Sequence, residues 1–211
     1  MKERPILFSS DMVRELLSGR KTQTRRVVKP QPQSAQMISD RMASLCYPAM
    51  LHRACPYGAP GDRLWVRETH HVNHTGEVVH YRADYPVDGD PFNADECGED
   101  HALEGEKWRP SIHMPRWASR LTLEVVAVRV ERLQDIRPED AVAEGIPTSK
   151  GVGLIDGETC YMMTTNSGYM RGPRGAVEAY KNLWESINGQ CSWERNPWVW
   201  VIEFKLIGGA K

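Results

Sequence analysis

Short apolar blocks, separated by Pro, Gly and Asp, set the predicted elements. Residues 5–8 (PILF) form one such block and predict a strand. Ser9, Ser10 and Asp11 then offer helix-capping oxygens. Met12, Val13, Leu16 and Leu17 follow at helical spacing, and Gly19 suits a left-handed helix end. Residues 21–28 (KTQTRRVV) predict an extended segment, stopped by Pro30 and Pro32. Pro60, Gly61 and Asp62 signal a turn into a strand at 63–68, and 78–82 predicts another. Residues 121–133 (LTLEVVAVRVERL) form the longest strand signal. Pro138 suits the first turn of a short helix over 138–144, ended by Gly145. Val177, Tyr180, Trp184 and Ile187 share one helix face, with Asn188 and Gly189 as its cap, and the Met12/Leu16 and Trp184/Ile187 stripes are expected in the core. Residues 198–207 (WVWVIEFKLI) predict a buried closing strand.

Between these elements lie long connections. Residues 33–60 are irregular in pattern, 83–106 form an acidic loop, and 147–175 are rich in Gly, Ser and Thr and are expected to be a loop. The element order suits an α+β fold, a small mixed β barrel with helices at its openings, and not a doubly wound sheet. Neither GxGxxG nor GxxxxGK[ST] occurs. A chain of 211 residues fits one domain with insertions at about 33–60, 69–117 and 147–175.

Composition changes the picture in three places. A 40% hydrophobic content with seven Trp and seven Tyr supports a real core, while no apolar run reaches membrane-spanning length. Five scattered Cys imply no disulfide framework, and Met1 to Pro5 carry no apolar signal region, so cytoplasm is the expected compartment. The net charge of −1 hides an asymmetry. Six Arg or Lys stand against one acid between positions 14 and 29, and nine acids stand without a base between 83 and 106.

The densest chemistry lies at Gly19-Arg20-Lys21-Thr22-Gln23-Thr24-Arg25-Arg26. In a strand Thr24 and Arg26 share a face, and Lys21 at the preceding turn can swing toward it. An amine, a hydroxyl and a guanidinium can hold a phosphate or attack and stabilise a carbonyl. The plain alternative is a solvated basic strand edge, which also protects a sheet against aggregation.

The spacing Gly19-x-Lys21-x-x-Thr24-x-Arg26 after an amphipathic helix resembles the signature of the ASCH family. Residues 60–66 (PGDRLWV), 141–145 (AVAEG) and 201–205 (VIEFK) resemble further family blocks, in the same order, and 108–117 resembles a larger, prophage-associated branch. The resemblance implies a PUA-like pseudo-barrel and a role on RNA or on nucleosides derived from it. Some relatives deacylate N4-acetylcytidine and others are ribonucleases. In the amidohydrolase type the motif Lys and Thr and a later acid are the catalytic set, which here are Lys21, Thr24 and Glu144. The leading expectation is therefore an N4-acylcytidine amidohydrolase. A single-strand ribonuclease and a non-catalytic RNA-binding or phage-regulatory module are the alternatives.

On that reading Lys21 activates the Thr24 hydroxyl, which needs desolvation to lower the amine's pKa. The negative end of the preceding helix opposes this shift. Glu144 is expected to donate a proton to the leaving amine, and Lys21 is expected to be accessible and dispensable for stability. Nucleotide contacts are expected from Arg20, Arg25, Arg26, Arg116, Trp117 and Arg120, with the segments 14–29 and 109–137 facing one cleft. Cys97, His101, His70, His71 and His74 have no matching second pair at zinc-site spacing, so no metal or other cofactor is expected; a divalent ion enters only with the ribonuclease reading.

Overall fold

The computed structural model describes residues 1–32, 55–73, 76, 78–85, 108–146, 148–149, 160–162, 169–171 and 173–208. Ten strands and three α-helices are found there. They run β1 (Glu3–Leu7), α1 (Ser10–Leu17), β2 (Gln23–Val27), β3 (Arg63–Arg67), β4 (His70–Val72), β5 (Val79–Tyr81), β6 (Thr122–Arg132), α2 (Pro138–Ala143), β7 (Thr148–Ser149), β8 (Cys160–Met162), β9 (Tyr169–Arg171), α3 (Pro173–Asn188) and β10 (Trp198–Gly208). Ser9 caps α1 through its hydroxyl, which accepts from the Met12 amide.

The main sheet has the order β1-β3-β6-β10-β2. Only the β1/β3 pair is parallel; β3/β6, β6/β10 and β10/β2 are antiparallel. A doubly wound architecture is thereby excluded. β6 and β10, eleven residues each, form the backbone of the sheet, and their register slips at Glu203/Phe204 and Leu206/Gly208. Such slips bend and twist a ladder.

β10 explains why its sequence is almost unbroken apolar. Trp200, Ile202 and Phe204 enter one cluster with Ile6, Phe8, Val13, Leu16, Leu64 and Leu123. Val199 and Val201 point the other way, into a second cluster with Ile136, Ala141, Ile146, Tyr180 and Trp184. A strand buried on both faces loses its polar alternation. α1 thus sits over one side of the sheet and α2 with α3 over the other.

Three expectations are corrected. The sheet does not close into a barrel: β1 and β2 are its two edges and no ladder joins them. α1 connects these edges in sequence, and a side chain spans them, with Arg26 Nη2 donating to the Leu7 carbonyl at 2.6 Å. Leu7, Phe8, Thr24 and Arg26, at or next to these edges, line a cavity. The span 147–175 is not all loop, because β7, β8 and β9 pair into a small antiparallel sheet. Ile187 also departs from its expected place: it is 63% exposed, at the end of a helix face on which Tyr180 and Trp184 are buried. The acidic span from 86 to 106 and most of the segment from 33 to 60 lie outside the described residues.

Gly145 ends α2 with φ +87°, and a Cβ there would lie 3.0 Å from the Glu15 Cβ and 3.1 Å from the Lys21 Cβ. Both the backbone and the space exclude a side chain. Gly145→Ala is expected to lower the unfolding free energy by about 1–3 kcal/mol, measured by urea denaturation. An unchanged midpoint would contradict this placement.

Candidate functional site

The turn after α1 carries Lys21 to its place. Gly19 adopts φ +75°, and the amides of Arg20 and Lys21 both donate to the Glu15 carbonyl at 3.0 Å. The Thr22 amide then donates to the Ala143 carbonyl at 2.9 Å, and the Phe204 amide donates to the Thr22 carbonyl at 2.9 Å. These bonds pin the start of β2 between the end of α2 and β10, so Lys21 meets Glu144.

Strand alternation sorts the next residues. In the β2/β10 register Gln23, Thr24, Arg25 and Arg26 lie opposite Glu203, Ile202, Val201 and Trp200. Gln23 and Arg25 therefore face α2, and Thr24 and Arg26 face the side of Phe8. Gln23 Nε2 donates to the Asp140 carbonyl at 2.8 Å. Arg25, with no side-chain exposure at all, reaches Glu131 at 3.2 Å, Asp140 at 3.3 Å and Glu144 at 3.1 Å. A solvated basic edge is not what forms.

Lys21 is corrected from accessible to buried: its side chain is 2% exposed. Its Nζ donates to the Glu144 carbonyl at 2.5 Å, the Gln23 carbonyl at 2.9 Å and Glu144 Oε2 at 3.2 Å, which uses all three ammonium protons. The Phe8 ring lies 5.4 Å away. Burial pushes the Lys21 pKa below its usual value; Glu144 opposes that shift, and Arg26 and Arg25 add to it. Glu144 accepts from Lys21 on Oε2 and from Arg25 on Oε1. With both oxygens engaged, it is placed to orient its neighbours and not to donate a proton.

Lys21, Thr24 and Glu144 line one cavity of about 420 Å³. Arg25 and Arg26 join them, with Phe8, Met12, Leu183 and Trp184 as apolar wall and Ser111, Tyr180 and Asn188 as polar additions. The Nε–H of Arg26 and the indole N–H of Trp184 are buried without an acceptor. Burial, with Glu144 close by, raises the Tyr180 pKa well above its usual value, so its hydroxyl keeps its proton.

The remaining expected nucleotide contacts are not gathered here. Arg20 forks onto Glu15 at 2.5 and 2.8 Å, and Arg120 forks onto Glu68 at 3.0 and 3.1 Å while also reaching Asp84. Arg116 pairs with Glu3 at 3.2 Å, and Trp117 stands 64% exposed away from the cavity. Of the segment 109–137 only Ser111 lines the cavity. Most of these cations are answered by nearby acids, a pairing that charge counts along the chain do not reveal. His70 and His71 are buried in β4, while His74, Cys97 and His101 lie outside the described residues. Among the described residues no group of three His, Cys, Asp or Glu is arranged to hold a metal.

Phe8, Ser111, Tyr180 and Trp184 were not singled out for the site by their sequence pattern. Tyr180 and Trp184 do belong to the core face of α3, yet the same face borders the cavity, and helical spacing cannot separate the two roles.

Lys21 also makes stability depend on pH. Its pKa is lower in the folded chain than the free value of 10.5, so between the two the unfolded chain binds more protons. Stability from this group therefore rises with pH across that window. Lys21→Met is expected to cost on the order of 2 kcal/mol near neutrality, since Arg25 still answers Glu144. The gap between wild type and variant should widen toward pH 10.5 in chemical denaturation. A gap that narrows would contradict the buried amine.

Comparison of the chain with protein-family models, with curated proteins and with solved structures finds no significant match.

Proposed function

We propose that this chain is an ASCH-type protein with a PUA-like ancestry to its sheet, and that it hydrolyses the acyl amide of an N4-acylcytidine. One observation carries the reading: Glu144, from a segment far along the chain, lines a single cavity with Lys21 and Thr24 of the β2 motif. Its volume of about 420 Å³ is that of a small-molecule site and suits one nucleoside. Phe8 and Trp184 provide apolar area for a base, and the unpaired donors of Arg26 and Trp184 suit carbonyl oxygens.

The chemistry runs through Lys21 and Thr24. Lys21, once the proton it shares with Glu144 Oε2 has gone to solvent, takes the Thr24 hydroxyl proton as Oγ1 attacks the acyl carbon. Arg26 answers the charge that develops on the carbonyl oxygen. The C–N bond then breaks, and the N4 nitrogen takes the proton from Lys21. Water attacks the resulting ester, giving its proton to Lys21, and Thr24 Oγ1 leaves and recovers it. Cytidine and the carboxylic acid are the products. Glu144 holds Lys21 in place throughout.

The purified protein is expected to release acetate and cytidine from N4-acetylcytidine, with EDTA having no effect. Thr24→Val and Lys21→Met should each lower kcat/KM by about 10²-fold or more, and Thr24→Ser should retain measurable turnover. Chromatography of N4-acylcytidines and single-stranded RNA after incubation reads the result. RNA fragments without deacylation would overturn the proposal.

A further inference from the structure

Arg25 belongs to the cavity wall, yet its buried guanidinium points into a set of three acids, of which Glu144 is buried and Glu131 and Asp140 are partly buried. Glu131 comes from β6, Asp140 from α2 and Glu144 from the residue after α2. Two of these acids have other cationic partners, because Arg129 reaches both Glu131 and Asp140, and Gln23 also donates to Asp140. Glu144 differs. Apart from Arg25 its carboxylate is answered by Lys21.

That difference has a chemical consequence. A buried carboxylate facing one ammonium holds it charged, whereas a carboxylate divided between an ammonium and a guanidinium holds it less firmly. Arg25 brings a guanidinium, a side chain that carries its charge throughout the working pH range. It is thus a fixed charge on the far oxygen of Glu144, and its grip also sets which oxygen turns toward Lys21.

We propose that Arg25 is the positioning residue of this site: by holding Glu144 Oε1 it divides that carboxylate between two cations, so that the Lys21 ammonium gives up a proton more readily and can then act as base. This rests on the reading of Lys21 as the proton acceptor. Of the other groups facing Lys21, Arg26 lowers its pKa by charge more than Arg25 does, but it makes no hydrogen bond to Glu144. Arg26, on the same strand, donates to the Leu7 carbonyl and lies 5.5 Å from the Phe8 ring. Glu15 of α1 packs near the Lys21 stem, but its carboxylate is taken by Arg20. Tyr180 of α3 borders the same cavity and keeps its proton. Phe8 offers only its ring.

The test titrates Lys21 itself, by the NMR shift of its Cε carbon in the full chain. It compares wild type with Arg25→Met and Arg25→Lys, alongside the pH profile of kcat/KM on N4-acetylcytidine. Arg25→Met is expected to raise the Lys21 pKa by about one unit or more. The acid limb of the rate profile should move up with it, and Arg25→Lys should restore most of both. Should Arg25→Met fail to fold, Arg25→Met with Glu131→Gln removes one excess acid and carries the same comparison. A Lys21 titration unchanged by loss of Arg25 overturns the inference. So does a loss of rate that is equal at every pH. A shifted Lys21 in a protein that does not deacylate supports the role of Arg25 and removes only the hydrolase reading.

Discussion

Burying a carboxylate beside two cations commits the surrounding chain to specific geometry, because any unanswered charge there costs several kcal/mol. Glu144 accepts from Lys21 on one oxygen and Arg25 on the other, and its carbonyl accepts from Lys21 as well. To make these bonds α2 must end at Glu144, Gly145 must turn left-handed, and β2 must enter at the height of Ala143. The sheet edge, the short helix and the turn after α1 are therefore located by one ionic junction. A basic strand that would be soluble decoration elsewhere becomes the floor of a cavity.

The open sheet has the same logic. β1 and β2 stay unpaired, and Leu7, Phe8, Thr24 and Arg26, at or next to these edges, border the cavity. A side-chain bridge from Arg26 to Leu7 holds the edges near each other without filling the gap. The cavity is thus a property of incomplete closure, with α1 on one side and α3 on the other supplying Met12, Leu183 and Trp184 as its apolar walls.

Much of this was legible in the chain. The capped helix at 10–17, the long strands near 122–132 and 198–208, and the glycine that stops α2 follow from spacing and turn chemistry. Period-two alternation also placed Thr24 and Arg26 together. What could not be read was which way charge would be answered. Arg25 and Arg20 look alike in sequence, yet one is sealed among three acids and the other forks onto Glu15 near the surface. Those acids lie more than a hundred positions away from Arg25, and only the β2/β10/β6 register and the docking of α2 bring them in. The small sheet of β7, β8 and β9 escaped for a different reason: strands of two or three residues carry too little periodicity to stand out from a Gly- and Ser-rich background.

The central claim is that Thr24, served by Lys21, takes the acyl group in this cavity. Rapid acid quenching of the protein with an N4-acylcytidine, followed by peptide mapping in a mass spectrometer, looks for that group directly. The account predicts an acyl ester on Thr24, absent from Thr24→Val. Turnover with no adduct at Thr24 in a quench fast enough to catch the first cycle, or an acyl group on another residue, would contradict it.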